Sequence, residues 1–267
     1  MPEPVGPSID HAVIAVASLE DAARRYEAVG FALTPRAAHP DHMGTVNRLA
    51  QFAGENFIEL VEVDRPSLAL PHDHAASPAR FAFGAHNLAY LAKRQGMSAL
   101  VFATDDANAE AERLAAAGLA PYQPLHFERR ATQPDGSETG VAFTLAFATS
   151  HLMPDIAFYF CQNHYPDNFW KPEYQDHSNG AMEIVGVTIA APEPEVHVDF
   201  ITRLTGVMPT PFDGGMRFAC GAGHALTVAP SASDNALFTR VEIATSAGGA
   251  SSVEAGGVTI DWRPCPD

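Results

Sequence analysis

His11 and Glu59 are the residues whose types and setting could do chemistry. His11 lies in the run Ile9-Asp10-His11-Ala12-Val13-Ile14-Ala15-Val16, and Glu59 lies in Phe57-Ile58-Glu59-Leu60. Both runs are apolar and rich in β-branched residues, as buried strands are. A carboxylate in such a run needs a partner or a metal, because a lone desolvated charge is costly. Imidazole and carboxylate together suit Zn, Fe, Mn, Co or Ni. They equally suit a hydrogen-bonded His–Glu pair within a sheet. Either way, the two side chains converge only if their strands are neighbours.

The elements that must position them follow a repeating order. A strand at 9–17 is followed by Ser18 as N-cap, a helix at 20–29 and Gly30 as its stop. Strands are expected at 31–34, 45–52 and 57–63, the last two joined as a hairpin around Gly54-Glu55. The order recurs as a strand at 97–104, a helix at 107–117 and strands near 124–130, 140–148 and 156–162. A third copy starts at Glu183, with a helix at 194–205 and strands near 216–220 and 224–229. A truncated fourth copy spans 237–263, with a Gly/Ser/Ala-rich stretch in place of a helix. A single module cannot bury its own sheet face, so modules must pair into curved sheets. This reading gives an α+β chain with an N-terminal pair at 1–165, a linker at 166–180 and a degenerate C-terminal pair at 181–267.

The His11 run, the capped helix and the Glu59 run together resemble the vicinal oxygen chelate superfamily, and more narrowly its glyoxalase-like domain proteins. Three further motifs carry the resemblance. They are His39-Pro40-Asp41-His42-Met43-Gly44-Thr45-Val46-Asn47-Arg48, Phe158-Tyr159-Phe160-Cys161-Gln162 and His177-Ser178-Asn179-Gly180-Ala181. The implied fold is the βαβββ repeat of the glyoxalase, bleomycin-resistance and dihydroxybiphenyl dioxygenase group.

In that superfamily a first-strand His and a last-strand Glu hold a divalent metal, and His11 and Glu59 match those positions. Aligning the second module on the first sets Ser98 against His11 and Gln162 against Glu59, with the longer spacing taken up by a hairpin around Pro134-Asp135-Gly136. Gln162 is then a neutral oxygen ligand. Serine at 98 departs from the metal-bearing pattern and becomes a substrate-binding candidate. His164 lies two residues beyond Gln162, on the same strand face, and completes a two-His-one-carboxylate set. Its alternative is a solvent-facing linker histidine. The resemblance supports His42 as catalytic and Asn47 as substrate-binding. Arg48 or Arg36 is suited to grip a carboxylate, against the alternative of surface solvation. Trp170, Tyr174 and His177 either cap the cup or pack the halves together. Val185 stands in the His11 position of the third module, and its last strand lacks a carboxylate. No metal is expected in the C-terminal half.

Composition limits the partners. With 32 acidic and 16 basic residues the net charge is −16, which repels nucleic acid and anionic membranes. The three cysteines form no CxxC pair, and Met1-Pro2-Glu3-Pro4 does not open a secretory signal, so a cytoplasmic protein is expected. No GxGxxG, P-loop or GxSxG motif occurs. Cys161 in its apolar strand reads as buried and inert. The pair His72 and His74 reads as a surface loop that also has the spacing to take a metal. The function expected is a metal-dependent enzyme on a small oxygen-rich molecule, by isomerase, lyase, hydrolase or dioxygenase chemistry. The metal would act as Lewis acid, with Glu59 doubling as base. The alternative is a metal-free protein that sequesters a small planar molecule. The resemblance is compatible with a homodimer, although four modules in one chain complete two cups internally.

Overall fold

The computed structural model describes residues 5–119, 122–247 and 251–265. Met1–Pro4 and residues 248–250 of the Gly/Ser/Ala-rich stretch lie outside them.

The first module comprises β1 (Ile9–Ala15), helix α1 (Leu19–Ala28), β2 (Ala37–Ala38), β3 (Val46–Gln51) and β4 (Phe57–Glu62). β1 is buried along its whole length, as its unbroken apolar run requires. The Ser18 hydroxyl accepts from the Asp21 N–H, and a Glu62 carboxylate oxygen accepts from the Leu19 N–H at 2.7 Å. Both satisfy donors left open at the start of α1. The helix returns the chain so that β4 pairs parallel to β1, with Val13 opposite Glu59 and His11 opposite Phe57. The expected strand at 31–34 does not form. Phe31 is instead buried against Tyr26 and Phe52, and the short edge strand falls at Ala37–Ala38.

Helix α2 (Phe83–Leu91) precedes the second module, and no periodic signal announced it. It packs on the turn at Asp41–Met43, where a Cβ on Gly84 would sit 1.8 Å from the Met43 carbonyl oxygen. Only glycine allows that approach. The second module is β5 (Gly96–Ala103), α3 (Ala107–Ala116), β6 (Leu125–Thr132), β7 (Glu138–Thr149) and β8 (Ala157–Asn163). β1 and β5 pair antiparallel at the centre of an eight-stranded sheet of order β2-β3-β4-β1-β5-β8-β7-β6.

The linker carries two short turns of helix, α4 (Pro166–Phe169) and α5 (Pro172–Gln175). A second, seven-stranded sheet follows. It is built from β9 (Ala181–Ala191), α6 (Val198–Thr205), β10 (Thr210–Phe212), β11 (Gly215–Ala219), β12 (Ala225–Pro230), β13 (Leu237–Thr245), β14 (Ser252–Ala255) and β15 (Val258–Pro264). Its order, β10-β11-β12-β9-β13-β15-β14, repeats the scheme with β9 and β13 antiparallel at the centre. Residues 194–197, expected as helix, form a 3₁₀ turn before α6.

One core joins the backs of the two sheets. Ile14, Leu100 and Phe158 of the first meet Ile189, Val241 and Phe238 of the second. Asn56, fully buried, stitches them: its Nδ2 donates to the Ile184 carbonyl at 3.0 Å, and its Oδ1 accepts the Ile184 N–H at 2.9 Å. His177 ties the linker down. Its Nδ1 accepts from the Ala32 N–H, so Nε2 carries the proton and donates to the Gln51 carbonyl. A second core fills the concave face of the first sheet, where the candidate site lies.

Candidate functional site

Strand alternation decides what enters the cup. On β4 the residues facing it are Phe57, Glu59 and Val61; their β3 partners Gln51, Leu49 and Asn47 face it too. β1 contributes His11 and Val13, β5 contributes Ala99 and Val101, and β8 contributes Ala157, Tyr159 and Cys161. The register of β1 against β5 slips between Ile9 and His11, which marks a bulge at Asp10. A bulge turns a side chain out of strict alternation. Here it brings the Asp10 carboxylate onto His11 Nδ1.

Glu59 is 5% exposed and forms the centre of the cluster. Its Oε1 accepts from Asn47 Nδ2 at 2.7 Å. His39 Nε2 lies 3.4 Å from the same oxygen, and His11 Nε2 lies 3.8 Å from Oε2. Asn47 Nδ2 also lies 3.3 Å from His39 Nε2, while His39 Nδ1 meets Thr45 Oγ1 at 2.9 Å. The simplest proton assignment gives one amide hydrogen to Glu59 and the other to a neutral His39, whose Nδ1–H then donates to Thr45. Burial lowers His39 to about 3, helped by the charges of Arg129, His11 and Arg65. Burial raises Glu59 above the usual carboxylate range, against the opposing pull of His11 and the Asn47 hydrogen bond. His11 is held by stacking on Phe57, centroid to centroid 4.2 Å.

The cavity over this cluster has mainly aromatic walls, including Phe83, Phe127, Phe143 and Phe169. Two polar groups face it without a described partner: the Tyr159 hydroxyl and Arg129 Nε. Burial and the Glu59 charge push the Tyr159 phenol well up, so it stays a donor. Burial, with Asp10 and Glu59 nearby, likewise pushes the Cys161 thiol up, and a thiol so held is a poor nucleophile.

Of the residues singled out from sequence, His11, Asn47 and Glu59 meet in this cavity. The others are elsewhere. Gln162, aligned with Glu59, lies one residue out of phase with the cup-facing Tyr159 and Cys161. It sits at the start of α3 instead, donating to the Asp105 carbonyl at 2.7 Å and accepting from the Ala107 N–H at 3.4 Å. His164 shares that outer face; it is exposed and bonded to Thr144 Oγ1 at 2.8 Å. Neither reaches the cup as a metal ligand. Ser98 is buried but turns away, its hydroxyl donating to Asn87 Oδ1. Arg48 is on the reverse face of β3, bonded to the Thr34 carbonyl and paired with Glu27. His42 is exposed on the Asp41–Met43 turn. Trp170 backs the cavity wall, packed on Phe57 and Phe169. Arg36 pairs with Asp64 at the surface.

The structure adds Asp10, His39, Tyr159 and Arg129. His39 and Tyr159 were visible only as parts of motifs. Arg129 had one local signal, its alternation with Phe127 and Ala131 along a strand. As for a metal, the donor types are present and each of the two histidines lies near one Glu59 oxygen. Among the described residues no three His, Cys, Asp or Glu side chains lie close enough together to hold an ion. The Asn47 amide occupies the space between His39 and Glu59. As arranged, the residues do not fit a three-ligand centre.

Residues 9–205 match the family described as "Glyoxalase-like domain". No curated protein matches the chain in sequence. The crystal structure of a hypothetical protein from Staphylococcus aureus has the same fold, with a TM-score of 0.75 at 14% identity, covering 97% of this chain and 99% of that one. A mutant of 4-hydroxymandelate synthase from Streptomyces coelicolor gives a TM-score of 0.53 at 13% identity, covering 91% of this chain and 72% of that one. At these identities the likeness is one of fold. Among the described residues no helix is long and apolar enough to cross a membrane.

Proposed function

The chain belongs to the glyoxalase-like domain family, and from that premise we propose that it is an enzyme that moves a proton on a small molecule enclosed in the first cup, with Glu59 as the base. One observation carries the reading. The Glu59 carboxylate lies buried at the cavity wall, with Asn47 hydrogen-bonded to one oxygen and two imidazoles beside it. A base works best when its proton affinity approaches the working pH, and burial moves Glu59 in that direction. The Asn47 hydrogen bond keeps the carboxylate aimed.

In the step proposed, a C–H bond next to a substrate carbonyl breaks. The proton goes to Glu59, and the electron pair moves onto the carbonyl oxygen as an enolate. The Tyr159 hydroxyl, a buried donor with no described partner, is suited to stabilise that oxygen. Protonation of the opposite face of the same carbon gives epimerisation, return to the original face gives exchange only, and protonation of a neighbouring atom gives isomerisation. No step is assigned to a metal, because the side chains do not make a three-ligand centre.

Solvent-deuterium incorporation, followed by NMR over a panel of small 2-oxo and 2-hydroxy acids, tests the reading. Wild-type protein is expected to exchange a substrate C–H, and Glu59→Gln to lose at least ~100-fold of that rate while remaining folded. No exchange by the wild type, or equal exchange by the variant, would overturn it. A second reading, a sequestering protein, is favoured by the aromatic walls. It predicts tight binding with no exchange.

A further inference from the structure

Among the described residues Arg129 is the one Lys or Arg on the cavity wall, and none of them pairs with it as a salt bridge. It sits on β6 opposite Val141, between Phe127 and Ala131 on the cup-facing side. Nη1 donates to the Arg130 carbonyl at 3.2 Å, whereas Nε is buried with no described partner. Arg129 is half-buried, and a guanidinium whose Nε is sealed against aromatic walls without an ion-pair partner is costly to hold there. Burial accordingly weakens its hold on its proton, and the more distant Glu59 charge opposes this only in part. Such an arrangement is stable in use when an arriving anion supplies the missing charge and acceptors. Nε and the adjoining Nη2 form the planar edge that matches the two oxygens of a carboxylate.

We propose that Arg129 anchors the carboxylate of the substrate, which is therefore a small organic acid with an apolar, preferably aromatic, body. The remainder of the cavity supports that body: Phe83, Phe127, Phe143 and Phe169 offer ring faces and edges. A single guanidinium in an apolar cavity suits a monoanion better than a phosphate dianion, which needs more donors and stronger desolvation. With the acid group on Arg129, the carbons beside it lie toward Glu59, on the same wall system. This deepens the proton-transfer reading and rests on it for the role of Glu59, but not for binding.

Calorimetric titration at neutral pH with 3-phenylpropionate, 3-phenylpropionamide and inorganic phosphate separates the possibilities. The acid is expected to bind wild-type protein, with the amide and phosphate each at least ~10-fold weaker. Arg129→Gln should lose ~10-fold or more of the acid affinity, and Arg129→Lys should recover part of it. Glu59→Gln should bind the acid as well as or better than wild type, since a like charge is removed. Equal binding of acid and amide, preference for phosphate, or unchanged affinity in Arg129→Gln would overturn the proposal. The acid–amide comparison uses wild-type protein alone, so it stands even if a variant misfolds. Acid binding without deuterium exchange would sink only the catalytic reading. Exchange on a neutral substrate with no acid binding would sink only this one.

Discussion

Asn47 Nδ2 donates to Glu59 Oε1 at 2.7 Å across adjacent antiparallel strands, along a diagonal of two residues, since Asn47 lies opposite Val61 and Glu59 opposite Leu49. That bond opposes the burial that raises Glu59. Asn47→Leu keeps most of the volume and removes the donor. Hydrogen bonds to charged groups contribute about 1.5–3 kcal/mol, so the Glu59 titration should move up further when the donor is lost. Carboxyl ¹³C NMR of the variant would read it; an unmoved midpoint would mean the amide does not hold the charge.

His39 should shape the acid limb of stability. Its folded value of about 3 lies below the ordinary 6.5. Between those values the unfolded chain binds a proton that the folded one refuses, so stability is full above 6.5 and falls as pH drops toward 3. Glu59, shifted up, has the opposite slope: its folded form holds the proton longer, and stability falls as pH rises through the folded value. Replacing His39 with Gln removes the first slope only. The stability gap between wild type and His39→Gln should therefore move in favour of the variant from pH 7 to pH 4, as measured by urea unfolding.

Gln162 and His164 offer a direct check on strand phase. Gln162→Ala should cost about 1 kcal/mol, as loss of a helix-end hydrogen bond does, and leave 3-phenylpropionate affinity within about twofold of wild type. His164→Ala should leave affinity equally intact. A tenfold loss of affinity in either variant would return these residues to the site.

Asn56 is the cross-stitch between the sheets, and Asn56→Ala leaves both the Ile184 N–H and carbonyl buried without a partner. Each orphaned group costs about 1–3 kcal/mol. Equilibrium denaturation should show a loss of about 2–4 kcal/mol, and a variant as stable as wild type would argue that water replaces the amide.

The repeat, most of its strands and the candidates His11 and Glu59 were legible in the sequence because they rest on local physics. Apolar runs, caps and helix stops lie within a few residues of each other, and a charged side chain in a buried strand stands out against its neighbours. Helix α2 was missed because it has no side-chain cap and an apolar face spread around it. Only the tertiary structure could decide which face Gln162 takes, since strands alternate every residue and an alignment one position out exchanges the faces. The same holds for the meeting of His39 from a loop, Asn47 from β3 and Glu59 from β4, and for the isolation of Arg129 inside the cup. Those relations join residues distant in the chain through strand register and a bulge at Asp10. The sequence by itself pointed to the modules and to three residues of the cavity, His11, Asn47 and Glu59; the pairing of strands decided which further residues join them and which charge lies there without an ion-pair partner.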